Sequence, residues 1–242
     1  MLLVDAGNSR IKSGVWERGT ITPLPPIDTE AKAPPNDWQR IDRPSSVAIS
    51  NVAGAAVAAK LAAWADAAWS VEPIFAAVRR EAAGVSTRYE SIEQLGVDRW
   101  LAALAGYAIA DGAAVIVDAG TATTIDLVED DGAHLGGSIA PGLSLMVASL
   151  TRNTARLRLD SIERVDRVAT NTNAAISTGC IDAVAGGIER MRQRAQALLG
   201  REPPWIITGG EAAMVMEICE IEFRHVPDLV LRGLVLAARE ET

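Results

Sequence analysis

The chain opens on an apolar run, residues 1–6, that ends in Asp-Ala-Gly. A short run of this kind, closed by a turn signal, predicts a buried strand. Residues 11–16 and 20–24 predict two further strands joined by tight turns. Pro23, Pro25, Pro26, Pro34 and Pro35 then punctuate a stretch that predicts no regular element. Strands are predicted at 46–50 and 71–78, and a helix at 55–69, which is Ala-rich with Leu61, Trp64 and Ala68 on one side. A second helix is predicted at 98–110. The pattern then restarts. Residues 114–117 form a β-branched run that again ends in Asp-Ala-Gly, and strands at 123–128 and 135–140 follow. Helices are predicted at 143–150 and 172–199, the second weakened by Gly179, Gly186 and Gly187. The chain closes with a strand at 205–207, a short helix at 211–216, a strand at 221–226 and a helix at 229–239.

Both halves thus begin with three strands and continue with alternating helices and strands. Each opens on the same features, Asp5-Ala6-Gly7-Asn8 in the first and Asp118-Ala119-Gly120-Thr121 in the second. A duplicated α/β unit is the economical reading. Domains are expected at 1–112 and 113–242, with the last helix free to pack on the first domain.

Composition narrows the function classes. Hydrophobic residues make up 49% and charged residues 22% of the 242, which excludes a disordered chain. The 31 acidic against 23 basic side chains give a net charge of −8, which argues against a nucleic-acid partner. Two cysteines and two histidines, with no CxxC or HExxH, make a zinc site improbable. The first apolar run ends at Asp5, too early for a signal peptide. The uncharged stretch 132–151 is interrupted by four glycines and Pro141, so no membrane helix is expected there. The expectation is a cytoplasmic protein with no membrane partner. Neither GxxxxGK[ST] nor a strand-borne GxGxxG is present, so a nucleotide would need another solution.

The repeated corners offer one. Polyphosphates are held by backbone N–H groups and hydroxyls that converge without obstructing side chains. Gly7 and Gly120 remove the Cβ at the turns, and Asn8, Ser9, Thr121, Thr123 and Thr124 supply short polar groups beside them. Lys12 adds a cation, while Asp5 and Asp118 stand at strand ends where a carboxylate can orient hydrated Mg²⁺ or another cation. A single Asp-x-Gly is an ordinary hairpin corner; two in equivalent slots suggest a clamp on a phosphate tail across a cleft. Thr208-Gly209-Gly210, between a strand and a helix, would let a flat ligand lie on the backbone, although a plain βα turn has the same signature.

These residues resemble the type III pantothenate kinases of the acetate and sugar kinase/Hsp70/actin superfamily. The resemblance rests on six motifs in order: Asp5-Ala6-Gly7-Asn8-Ser9-Arg10-Ile11-Lys12; Gly96-Val97-Asp98-Arg99-Trp100; Asp118-Ala119-Gly120-Thr121-Ala122-Thr123-Thr124; Gly136-Gly137 with Pro141-Gly142; Thr172-Asn173-Ala174-Ala175 through Gly179; and Thr208-Gly209-Gly210. It implies duplicated ribonuclease H-like βββαβα domains, the actin-like ATPase fold, with a cleft between them. It also implies ATP-dependent phosphorylation of pantothenate to 4′-phosphopantothenate, the first step of coenzyme A synthesis, by a homodimer. The cofactors implied are Mg²⁺ with ATP and a monovalent cation, K⁺ or NH₄⁺. By the same resemblance Asp98 is the proton acceptor, and Gly96, Val97, Asp98 and Arg99 line the pantothenate pocket with Tyr89 and Thr172. Asp5, Ala6, Gly7, Asn8, Ser9, Arg10, Ile11, Lys12 and Thr121 bind ATP, and Asp118 binds the monovalent cation. Ser9 stands where the family usually has Thr, Ile92 where Pro often follows the tyrosine, and residues 23–44 carry no family motif.

Phosphoryl transfer depends on positioning and charge neutralisation. A carboxylate at Asp98 can take a hydrogen bond from an alcohol, and a guanidinium at Arg99 matches a carboxylate bidentately. The plainer readings are a helix N-cap for Asp98 and a surface ion pair with Glu90 or Glu93 for Arg99. Cys180 and Cys219 read as buried thiols, and His134 and His225 as structural or solvated. Two alternatives stand beside pantothenate kinase: another small-molecule kinase of the superfamily, and a non-catalytic regulatory accessory factor.

Overall fold

The computed structural model describes residues 1–152 and 168–239. The first half runs β1 (Leu2–Ala6), β2 (Arg10–Glu17), β3 (Thr20–Asp28), β4 (Val47–Asn51), α1 (Ala55–Trp69), β5 (Ile74–Phe75), β6 (Glu81–Ala82), β7 (Val85–Thr87) and α2 (Val97–Ala110). The second runs β8 (Ala114–Ala119), β9 (Ala122–Val128), β10 (Ala133–Pro141), α3 (Leu143–Arg152), α4 (Thr172–Leu199), β11 (Trp205–Thr208), α5 (Ala212–Ile218), β12 (Phe223–His225) and α6 (Leu229–Arg239). Two compact units result. One comprises Met1–Ala113, Val128–Gly136 and Asp228–Thr242, the other Ala114–Leu127 and Gly137–Pro227.

In the first unit β1 pairs antiparallel with β2, and β2 with β3, while β4 lies parallel on the other side of β1, giving the order β3-β2-β1-β4-β5. The second sheet has seven strands in the order β12-β11-β8-β9-β10-β7-β6, with β11 parallel to both β8 and β12. Its strands β10-β9-β8-β11-β12 repeat the order of the first sheet: the opening strand has its meander on one side and the parallel strands on the other. The repeat legible in the sequence is therefore a repeat of topology, and the fold is mixed α/β with two sheets.

β1 is buried along its whole length, as its unbroken apolar run requires. Leu2, Val4, Ile11, Ile49, Leu61 and Trp69 form one core with Trp38. Trp38 sits on a 3₁₀ turn, Asn36–Arg40, within the proline-rich stretch. It is 1% exposed, packs edge-on against Trp64 at 6.2 Å and lies 5.6 Å from Trp69, and its Nε1 donates to Ser13 Oγ at 3.2 Å. The irregular segment is thus pinned by one large ring whose polar atom is satisfied.

The structure corrects several expectations. Pro23, Pro25 and Pro26 do not end the strand; β3 runs through all three to Asp28. β3 is an edge strand, where a missing N–H costs least. Register passes from Ile11↔Ile27 to Ser13↔Leu24, so Pro25 and Pro26 together face Lys12 in a bulge. The strand expected at 71–78 shrinks to Ile74–Phe75, and β6 and β7 are additional. α4 keeps its expected bounds as one helix of 28 residues through Gly179, Gly186 and Gly187, which have open space where a Cβ would stand.

α6 belongs to the first unit and packs on α2. A Cβ on Gly233 would lie 2.1 Å from the carbonyl oxygen of Leu101. The two helices approach at contact distance only because Gly233 has no side chain. Gly233→Ala is expected to destabilise the first unit by about 1–3 kcal/mol through overpacking, read as a lowered urea midpoint at constant m-value.

Candidate active site

The two Asp-x-Gly corners share a construction. Asp5 lies directly across the antiparallel ladder from Lys12, and across the parallel ladder from Ser50. Asp118 lies across the parallel ladder from Thr208. A buried hydroxyl residue therefore stands beside each aspartate: Ser50 is fully buried and Thr208 is 1% exposed. Past the aspartates the chain turns out to solvent. Asn8, Ser9, Arg10 and Thr121 are exposed, Ile11 is buried, and Lys12 is half-buried.

At the first corner Gly7 N donates to Arg10 O at 3.0 Å, and Val52 N donates to Ala6 O at 3.0 Å. At the second, Gly120 N donates to Ala122 O at 3.1 Å. Glu211 N donates to Ala119 O at 2.8 Å, and Gly142 N donates to Thr121 O at 2.9 Å. This second corner is packed by glycines. A Cβ on Gly142 would lie 2.0 Å from Gly120 O, and one on Gly209 would lie 2.2 Å from Ala119 O and 2.6 Å from Asp118 Oδ1. Gly209 also has φ +101°, a conformation that favours glycine. The Thr208-Gly209-Gly210 turn is thus built to let backbone touch the β8–β9 corner.

Glu211 was not singled out by the sequence. Its Oε2 accepts from Leu143 N at 2.9 Å and its Oε1 from Ser144 N at 3.0 Å. One carboxylate therefore caps two of the free N–H groups of α3 from a residue remote in sequence. Only the Gly-Gly-Glu signature at the end of a strand could have hinted at it.

The Gly-Val-Asp-Arg motif forms the start of α2. Gly96 is the N-cap residue without a side-chain capping bond, so the N-cap reading of Asp98 is replaced: Asp98 lies within the first turn. Its Oδ1 accepts from Arg99 N at 2.8 Å and stands 2.5 Å from where a Cβ on Gly96 would be. Gly96 leaves the space that the Asp98 carboxylate occupies. Val97 and Asp98 are half-buried.

Arg99 is not a surface residue; it is 6% exposed. Its Nη1 donates to the Tyr89 hydroxyl at 2.7 Å, and its guanidinium carbon lies 5.7 Å from the Tyr89 ring centroid. Tyr89 stacks on His134 at 5.9 Å with 3° between the planes. Thr87 Oγ1 lies 3.1 Å from His134 Nδ1 and accepts from Tyr89 N at 3.2 Å. His134 is fully buried, with Trp100 6.4 Å from its ring. Tyr89, Asp98 and Arg99 are thereby brought together, and His134 and Thr87 are the supports that the sequence did not reveal.

Thr172 is exposed at the first turn of α4, where Asn171 is the N-cap and its side chain accepts from Ala174 N at 2.9 Å. Thr172 lines a groove of about 460 Å³ with Met146, Leu150 and Ile176. His225 is exposed. Among the described residues no group of three His, Cys, Asp or Glu side chains could hold a metal, and no helix is long and apolar enough to cross a membrane.

Known proteins resolve what this arrangement belongs to. The family model described as type III pantothenate kinase matches residues 1–194. The chain belongs to the type III pantothenate kinase family. A relative of that name from Aromatoleum aromaticum is 38% identical over 242 residues, covering 100% of this chain and 98% of its own. Another from Nitrosococcus oceani is 34% identical over 252 residues, covering 99% and 94%. Solved structures agree on the fold. A Campylobacter jejuni protein described as belonging to a Baf family of transcriptional activators aligns with a TM-score of 0.63 at 22% identity, covering 100% of this chain and 98% of that one. A Sinorhizobium meliloti protein described as a 2-dehydro-3-deoxygalactonokinase aligns with a TM-score of 0.56 at 16% identity, covering 99% and 96%. The chain is accordingly a kinase of actin-like, sugar-kinase fold.

Glu211→Ala leaves two N–H groups of α3 uncapped and is expected to cost about 1–2 kcal/mol, measured by urea unfolding. Cys219 is half-buried, unlike fully buried Cys180; burial first, and Glu189 second, push its thiol up to about 11. The folded state keeps this proton longer than the unfolded chain, so the stability it contributes is complete below pH 9.0 and is lost as pH rises towards 11. Alkylation of Cys219 by iodoacetamide at pH 8 is expected to be at least ~10-fold slower in the native protein than in urea, followed by peptide mass spectrometry.

Proposed function

We propose that this kinase transfers the γ-phosphoryl group of ATP to the primary alcohol of pantothenate, giving 4′-phosphopantothenate and ADP in the cytoplasm, with Asp98 as the proton acceptor. The observation that carries this reading is the carboxylate of Asp98 folded over Gly96 at the start of α2, one residue before a buried arginine braced by Tyr89. In the reaction the pantothenate hydroxyl oxygen forms a bond to the γ-phosphorus. The bond from that phosphorus to the β–γ bridging oxygen breaks, and the hydroxyl proton passes to Asp98. Asp98 orients the alcohol for in-line attack, and Arg99 takes the pantothenate carboxylate bidentately. Tyr89 fixes the guanidinium, and Gly96 and Val97 form the adjoining wall. Thr172 completes the acceptor pocket.

Residues 5–12 and Thr121 hold the ATP phosphates through backbone N–H groups, short hydroxyls and Lys12. The cross-ladder placement of Lys12 opposite Asp5 supports this, since it sets a cation and an anion on one face of the corner. Mg²⁺ entering with ATP would be held mainly by phosphates and water, which suits a chain whose described residues offer single carboxylates rather than a cage. Asp118 Oδ1, which borders the space left by the missing Cβ of Gly209, is the hard oxygen donor that would hold a monovalent cation such as K⁺ or NH₄⁺. When bound, both ions neutralise phosphate charge. The active form is a homodimer; the exposed leucines of α3, Leu145 and Leu150, support a partner on that face.

A coupled ADP-release assay with pantothenate, run with and without K⁺ or NH₄⁺, tests the reading. Asp98→Asn is expected to lower kcat by about 10²–10⁴-fold while leaving ATP affinity within twofold. An unchanged turnover excludes Asp98 as the proton acceptor.

A further inference from the structure

Just past the end of β3 stands a residue that bonds the β1–β2 turn twice. Thr29 follows the bulged, proline-rich edge strand and is 6% exposed. Its Oγ1 donates to Gly7 O at 2.7 Å, and its backbone N donates to Ser9 O at 3.1 Å. Both acceptors lie in the β1–β2 turn, the stretch of residues 5–12 assigned above to the ATP phosphates. Thr29 itself is held from behind. Lys60 Nζ, on α1, donates to Thr29 O at 2.5 Å and to Ala31 O at 3.1 Å, and lies 5.1 Å from the Trp64 ring centroid. Asp28 closes the same bend, its Oδ1 accepting from Glu30 N at 2.7 Å and its carbonyl from Ala31 N at 3.0 Å.

Each bond has a consequence for the turn. A turn between antiparallel strands is left with carbonyls that no ladder partner reaches. If Gly7 O and Ser9 O were free, the peptide planes on either side could rotate and the N–H groups of residues 8–10 would lose a common direction. Thr29 fixes both carbonyls at once, and fixing a carbonyl fixes the N–H of the next residue, because the peptide is planar. The groups so oriented are the amides of Asn8 and Arg10.

We propose that Thr29 is a positioning residue for nucleotide binding: it orients the amides of the β1–β2 turn toward the ATP phosphates, and Lys60 acts through it. This rests on the assignment of residues 5–12 to ATP. Valine matches threonine in shape but lacks the hydroxyl, so Thr29→Val removes the bond to Gly7 O while keeping the bulk. Thr29→Ser keeps the hydroxyl and loses a methyl group. Lys60→Met removes the two bonds behind Thr29 and keeps an apolar stem against Trp64.

Steady-state kinetics with ATP and pantothenate, together with calorimetric binding of a non-hydrolysable ATP analogue, separate the outcomes. Thr29→Val is expected to raise KM for ATP and the analogue's Kd about tenfold, while KM for pantothenate stays within twofold and Thr29→Ser restores ATP binding. Lys60→Met is expected to shift ATP in the same direction by a smaller factor. Lys12→Ala is the control for the underlying assignment. If Lys12→Ala weakens ATP binding and Thr29→Val does not, the role of Thr29 is overturned and the assignment of the turn stands. If neither variant weakens it, the assignment fails and the role of Thr29 fails with it. Should Thr29→Val not fold, Lys60→Met decides: an unchanged KM for ATP overturns the proposal.

Discussion

A strand buried on both faces must deliver its chain to solvent through a turn, and the carbonyls of that turn have no ladder to bond to. This constraint applies twice in the molecule, after β1 and after β8, and most of the irregular structure can be understood as its solution. After β1, Ala6 O is taken by Val52 N, and Gly7 O and Ser9 O are taken by Thr29. After β8, Ala119 O is taken by Glu211 N and Thr121 O by Gly142 N. With these carbonyls bonded, the corners keep a fixed course while Asn8, Ser9, Arg10 and Thr121 stand exposed on them. Short polar groups on a fixed turn are the kind of surface that suits an anion.

The two solutions use different chemistry for the same end. The first corner borrows a side-chain hydroxyl from the edge of its own sheet, which requires β3 to be long and bent. The bulge at Pro25 and Pro26 supplies the bend. The second corner is served by backbone alone, which requires the neighbouring chain to come within touching distance. Gly142 and Gly209 are the outcome, since any side chain there would strike Gly120 O or Ala119 O. Glu211 then ties the two glycine segments together by capping α3. The two halves therefore share a strand order and an aspartate–hydroxyl pairing, and differ in how their turns are satisfied.

This difference explains what could be read from the sequence. The strand–Asp–Ala–Gly pattern was legible because a buried strand and its turn are encoded in adjacent residues. The helices at 55–69, 172–199 and 229–239 were legible because their apolar positions recur locally, and all three have the predicted bounds. β3 was misread beyond Leu24, because whether proline breaks a strand depends on the strand standing at a sheet edge, and edge position is a property of pairing. Thr29, Glu211, Thr87 and His134 were not found for a related reason. Their partners lie 22, 68, 47 and 47 residues away, and no local pattern announces such bonds.

The Gly-Val-Asp-Arg segment shows how such long-range supports act on neighbouring side chains. Asp98 and Arg99 are adjacent in sequence in the first turn of α2, where Gly96 leaves the space that the Asp98 carboxylate occupies. A guanidinium on four rotatable bonds is not positioned by its backbone, however. Its direction is set by the Tyr89 hydroxyl, and the Tyr89 ring is set in turn by His134 stacked beneath it and by Thr87 at its backbone. Gly136 completes the arrangement, for a Cβ there would stand 3.3 Å from the Tyr89 ring. The Gly-Val-Asp-Arg motif thus encodes which groups are present, and the β7–β10 pairing, distant in sequence, encodes where one of them points. The in-line transfer proposed for this site needs both, since a reacting group must be present and also held in one direction.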